Sequence, residues 1–93
     1  GMSEQDILKI LKIDLQISVS ALDEYLLFLI TSAKKFILKE GIALTNSQDD
    51  ALLVEMYAAY LYRKRKEQQN EMPRMLRWAL NNRLFSEKGA VNG

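Results

Sequence analysis

Ala51-Leu52-Leu53-Val54-Glu55-Met56-Tyr57-Ala58-Ala59-Tyr60-Leu61-Tyr62 contains one charge, Glu55, in twelve residues. An ordinary surface helix keeps one apolar stripe and a polar opposite face, whereas a helix apolar on all sides is surrounded by other structure. A chain of 93 residues hides only about two-thirds of the surface its unfolded form exposes. The stretch therefore predicts a central helix that one small domain struggles to enclose, with part of its surface covered by neighbouring copies or a partner. An assembly component fits that reading better than a free-standing enzyme.

Composition narrows the chemistry. The length suits one domain with a modest core. With no cysteine and no histidine, there is no disulfide, no thiolate or imidazole metal ligand, no cysteine nucleophile and no histidine base. Carboxylates, lysines and tyrosines remain, and no nucleophile–base pair, metal cluster or Gly-rich phosphate loop is legible among them, so no enzymatic activity, metal site or cofactor is expected. Four glycines and one proline leave few backbone breakers, which suits long helices.

Charge is polarised along the chain. Residues 1–62 carry nine acids and five bases, and residues 63–93 carry three acids and eight bases, so a net −4 faces a net +5. The basic part opens with Arg63-Lys64-Arg65-Lys66. Such a segment suits a phosphate backbone or an acidic protein surface, and it also suits a solvated helix end that offsets the dipole. Four consecutive positions fan around more than a full turn, whereas base reading concentrates side chains on one face.

The pattern predicts an all-α fold: a small bundle of about four helices, with an extended link between helices 1 and 2 and a loose C-terminal tail. Gly1-Met2 reads as a cleavage scar and native start, residues 3–85 as one helical domain and residues 86–93 as the flexible tail. Ser3 and Asp6 form a capping box for helix 1, whose stripe is Ile7, Leu8, Ile10 and Leu11. Residues 13–19 alternate apolar and polar, a strand-like period, and are expected to run extended along the bundle. Helix 2 is expected to start at Ser20, with Asp23 closing its capping box, and to end at Glu40 before a left-handed Gly41. Helix 3 is capped by Asn46 or Ser47 and runs to about Gln69. Helix 4 carries Pro73 in its first turn, ends near Phe85, and has Met75, Leu76, Ala79, Leu80 and Leu84 as its core stripe. The apolar run at residues 25–38 is cut by Lys34-Lys35 and falls short of the roughly 20 residues a membrane span needs, so a soluble, intracellular product with no membrane partner is expected.

Trp and Arg are enriched at interface hot spots. Leu27, Phe28, Leu53, Tyr57, Tyr60 and Trp78 are accordingly candidate subunit contacts, and Arg63, Lys64, Arg65, Lys66, Arg74, Arg77 and Arg83 are candidate contacts to a protein partner or to DNA. Core filling is the competing role for Trp78 and the tyrosines, and simple solvation for the cations.

The order of these features resembles small head–tail connector proteins of tailed phages and prophages. The likeness is carried by Asp23-Glu24-Tyr25-Leu26-Leu27 with Ile30, Ala33, Ile37 and Gly41, and by residues 56–65, Met-Tyr-Ala-Ala-Tyr-Leu-Tyr-Arg-Lys-Arg. It is carried also by Met72-Pro73-Arg74-Met75-Leu76-Arg77-Trp78-Ala79-Leu80-Asn81-Asn82-Arg83-Leu84-Phe85, which is most similar to Gram-positive prophage members. The resemblance spans residues 4–88. It implies an all-helical homo-oligomer, a ring of about a dozen copies, docked on the portal in the virion neck after assembly in the bacterial cytoplasm. Such a ring extends the DNA channel, lies close to genomic double-stranded DNA without reading it, and offers a platform to the next neck or tail component. The alternative from a different class is a small helical DNA-binding regulator that uses the basic C-terminal third.

Overall fold

A computed structural model describes residues 2–67 and 71–92, with side chains as far as Glu87. Within them the fold is all-α, in the order α1 (Glu4–Leu15), α2 (Asp23–Lys39), α3 (Gln48–Lys66) and α4 (Arg74–Asn92), with no strand among the described residues. None of these helices is long and apolar enough to cross a membrane.

Helix α3 is the centre. It packs against α1, α2 and α4, and α1 also packs against α2. Eight of its residues are buried: Asp50, Ala51, Leu53, Val54, Glu55, Tyr57, Ala58 and Ala59. These positions point to almost every side of a 3.6-residue helix. Only Leu52 is exposed along this stretch, with Met56 half-buried one turn on. The other helices supply narrow inner stripes: Ile7, Leu8 and Leu11 from α1, Leu26, Leu29, Ile30, Ala33 and Ile37 from α2, and Leu76 and Leu80 from α4. The expectation that Leu53 and Tyr57 meet a neighbouring copy is thereby corrected, because both are buried within one chain.

The helix ends follow local chemistry. Ser3 Oγ accepts the Asp6 amide at 3.2 Å and Asp6 Oδ2 accepts the Ser3 amide at 3.1 Å, completing the expected capping box. Those bonds hold the Asp6 carboxyl below its ordinary range. Ser47, rather than Asn46, caps α3 by accepting the Asp50 amide at 3.1 Å. Gly41 has φ of 100°, the left-handed conformation expected after α2. A Cβ there would also lie 3.3 Å from Leu84 Cδ1, so glycine lets α4 close on the end of α2.

Several boundaries differ from expectation. Helix α1 continues through Ile13 and Leu15 and stops at Gln16, whose left-handed φ of 59° lets its amide reach the Ile13 and Lys12 carbonyls. The link is thus short, and its alternating residues do not share a face: Leu15 and Ile17 are half-buried whereas Ile13 and Val19 are exposed. Helix α2 begins at Asp23 with no side-chain cap. Asp23 instead accepts Lys12 Nζ at 2.7 Å, tying α2 to α1. Helix α3 ends at Lys66, and the expected end at Gln69 lies outside the described residues. Helix α4 passes Phe85 and continues to Asn92 in place of a loose tail, supported by an Arg83–Glu87 pair of 2.7 Å one turn apart.

A buried ionic cluster fixes α4 against the start of α3. Asp50 Oδ1 accepts Arg83 Nε at 2.8 Å, and Oδ2 accepts Arg83 Nη2 at 3.1 Å, the Thr45 amide at 2.8 Å and Thr45 Oγ1 at 2.9 Å. Arg83 Nη2 also donates to the Ala43 carbonyl at 2.9 Å. Burial alone would raise the Asp50 carboxyl, but the hydrogen bonds from Arg83 and Thr45 outweigh it and the group titrates below its usual range. Its contribution to stability is therefore present above pH 3.8 and is lost as pH falls through the depressed folded value.

Two outcomes check this architecture. Leu53→Asp places a charge in a dry core and should leave the chain unfolded by circular dichroism; a cooperative transition near the wild-type temperature would refute the enclosure of α3. Arg83→Gln leaves Asp50 buried without its ionic partner, so it should cost about 2 kcal/mol and lower Tm by about 10 °C in a domain of this size.

Candidate subunit and partner surface

With α3 enclosed, most of the surplus apolar surface lies on the outer faces of α2 and α4, and Ile13 on α1 and Val19 on the link are exposed as well. Phe28 is 64% exposed and Leu38 also faces outward on α2, while on α4 Met75, Trp78 and Phe85 are 68%, 66% and 80% exposed. Positions 75, 78 and 85 fall on one face of a helix, with Asn82 completing the row. Trp78 also walls a groove of about 480 Å³ between α3 and α4, lined by Leu52, Leu53, Met56, Ala79, Asn82 and Arg83.

The proposed contact residues thus separate into groups. Phe28 and Trp78 are open, Leu27 and Tyr60 are half-buried, and Leu53 and Tyr57 are core. Tyr57 stacks on Phe36 with ring centroids 5.8 Å apart and meets Tyr60 edge-on at 5.9 Å. Burial, followed by the nearby Glu40 carboxylate, raises its phenol above the ordinary range, as expected for a ring anchored in the core. Met75 had been expected on the inward stripe of its helix and faces outward instead. Trp78, three residues beyond Met75, carries the signal that could have placed that residue, because both lie on the face away from Leu76 and Leu80.

The cations divide as well. Arg83 is locked in the Asp50 cluster, and Arg77 grips Glu40 with both nitrogens, Nη1 to Oε1 at 3.1 Å and Nη2 to Oε2 at 3.2 Å. Arg83 is thereby held within the fold, which corrects the expectation for it, whereas Arg77 keeps 43% of its side chain exposed although it is paired. Hydrogen bonding to Glu40 raises the Arg77 guanidinium further, and hydrogen bonding to Asp50 does the same for Arg83. Arg63 pairs with Asp14 at 3.5 Å and donates to its carbonyl at 3.4 Å. Lys64 and Lys66 lie over the rings of Tyr60 and Tyr62, 5.8 Å and 5.6 Å from the centroids. Lys64, Arg65, Lys66 and Arg74 are exposed and form no ion pair among the described residues. They flank the join between α3 and α4 and make that end of the molecule cationic.

No group of three or more acidic, histidine or cysteine side chains suited to a metal is found among the described residues. The arrangement offers two unlike apolar faces and one cationic end. Comparison with protein-family models, with curated proteins and with solved structures finds no match for this chain.

Proposed function

We propose that this protein is a non-enzymatic structural subunit of a phage head–tail connector ring. It would dock on the portal, extend the DNA channel and present a platform to the next neck or tail protein. The observation that carries this reading is the presence of outward apolar residues on two different helices: Phe28 and Leu38 on α2, and Met75, Trp78 and Phe85 on α4. A head-to-tail ring needs two unlike faces per subunit, because each contact joins one face to the other. The cationic end formed by Lys64, Arg65, Lys66 and Arg74 suits an acidic portal surface or passing phosphates, both of which require charge without base selection. The regulator alternative is less well supported, since Arg63 is held by Asp14 and the consecutive Lys64, Arg65 and Lys66 fan around the helix and do not share one base-reading face.

Electron microscopy of the protein mixed with its portal tests the reading directly. Rings seated on the portal are expected; tight, sequence-selective binding to short duplexes at low salt would defeat it. Phe28→Asp and Trp78→Asp replace exposed residues, so each should keep Tm within a few degrees and abolish ring formation. Rings built normally by both variants would show that these faces are not the contact. Replacing Lys64, Arg65, Lys66 and Arg74 together by Gln should likewise leave Tm nearly unchanged while weakening portal docking in a salt-dependent way. A large loss of Tm with docking intact would make these cations structural.

A further inference from the structure

Glu55 is the single charge in the apolar run, and the ring assembly makes no use of it. It sits on α3 with 6% exposure, and its Oε2 is buried without a hydrogen-bond donor. The group facing it is the Asp14 carboxylate, on the last turn of α1, and Arg63, two turns farther along α3, holds Asp14 at 3.5 Å. Asp14 from α1 and Arg63 from α3 are the charged groups that act on it among the described residues. Two carboxylates are acceptors only, so together they form no hydrogen bond unless one carries a proton. An unpaired acceptor in a dry site is costly, and a second negative charge beside it is costlier.

We propose that Glu55 and Asp14 share one proton, and that this carboxylic acid–carboxylate hydrogen bond, backed by Arg63, is a pH-sensitive clasp holding the end of α1 to α3. In the closed clasp Glu55 is neutral, Asp14 negative and Arg63 positive, so the cluster, with Glu55 at its buried end, has no net charge. Release of the Glu55 proton to solvent leaves two carboxylates against one guanidinium and a net charge of −1. The clasp then weakens, and the last turn of α1 loosens together with the short link that carries exposed Val19. Burial, then the Asp14 contact, raises the Glu55 carboxyl from 4.5 to about 8, against a smaller opposing pull from Arg63. The folded protein therefore binds more protons than the unfolded chain between those values, and stability falls as pH rises through that window. The chain has no histidine, so no other side chain ordinarily titrates there.

Urea unfolding of the full chain between pH 5 and 9 reads the clasp. One extra bound proton makes the unfolding constant rise about tenfold per pH unit between pH 6 and 7.5 and level off above pH 8. Glu55→Gln should flatten that dependence and make the variant more stable than wild type at pH 9. A flat wild-type profile, or a slope that survives in Glu55→Gln, overturns the proposal. Carbon-13 NMR titration of the Glu55 side chain in the wild-type protein decides the matter even if the variant fails to fold. A midpoint near 8 that falls in Asp14→Asn is expected, and a midpoint below 5 overturns the shared proton. Amide exchange across residues 13–19 should outpace that of residues 26–37 above pH 8; uniform change across both segments would show global destabilisation and no clasp.

Discussion

Helix α3 has to be kept dry on nearly all its sides by a chain of only 93 residues. The solution uses the other three helices as a single layer of cover, each turning one narrow stripe inward. That arrangement has a cost in surface. Once Leu26, Ile30, Ala33 and Ile37 are turned inward, Phe28 and Leu38 on the same helix face outward, because at about 100° per residue they lie roughly 190° and 110° from the centre of that stripe. The same holds on α4, where inward Leu76 and Leu80 force Met75, Trp78 and Phe85 outward. The apolar excess visible in the sequence is therefore real, but enclosure moves it from the central helix to the outer faces of its neighbours.

Polar contacts then determine where the covering helices sit. Hydrophobic stripes slide past one another at little cost, whereas a buried carboxylate with a forked guanidinium partner has one good register. Asp50 with Arg83, and Glu40 with Arg77, pin α4 to the start of α3 and the end of α2. Lys12 with Asp23 pins α1 to α2 across the short link. These assignments reshape the charge pattern. Arg63, Arg77 and Arg83 contribute to the basic C-terminal third but are neutralised locally, so the field seen by a partner comes mainly from Lys64, Arg65, Lys66 and Arg74.

Four helices, the Ser3 capping box, the left-handed Gly41 and the apolar centre on α3 were all legible in the sequence, because each rests on local chemistry or on periodicity. What was not legible depends on contacts distant in sequence. Asp23 looks like a capping residue until Lys12 is placed beside it, and residues 13–15 look like a strand until α1 finds a surface to continue along. Arg83 looks like a free cation until Asp50, 33 residues away, is seen to hold it. The candidate surface was legible in kind but not in place. Phe28 and Trp78 are open, yet Leu53 and Tyr57 belong to the core, and apolar character alone does not say which side of a helix its own chain will cover. Glu55 carried a signal in being alone among apolar neighbours, and only the fold could bring Asp14 to it.

A core completed within one chain separates folding from association. A chain with such a core can fold first and present preformed faces, unlike obligate oligomers whose monomers have no stable fold. The outward residues are also few. Large apolar side chains present ~150–250 Å² each, so three of them about two-thirds exposed offer ~400 Å². A standard stable interface buries about 800 Å² per partner. A single pairwise contact through such a face is weak, whereas a closed ring adds a contact on each side of every subunit, and a docked template raises the effective concentration of neighbours. On the proposed reading, weak lateral faces are what a neck subunit needs: they stay unassociated in dilute solution and close into a ring only where the portal gathers them.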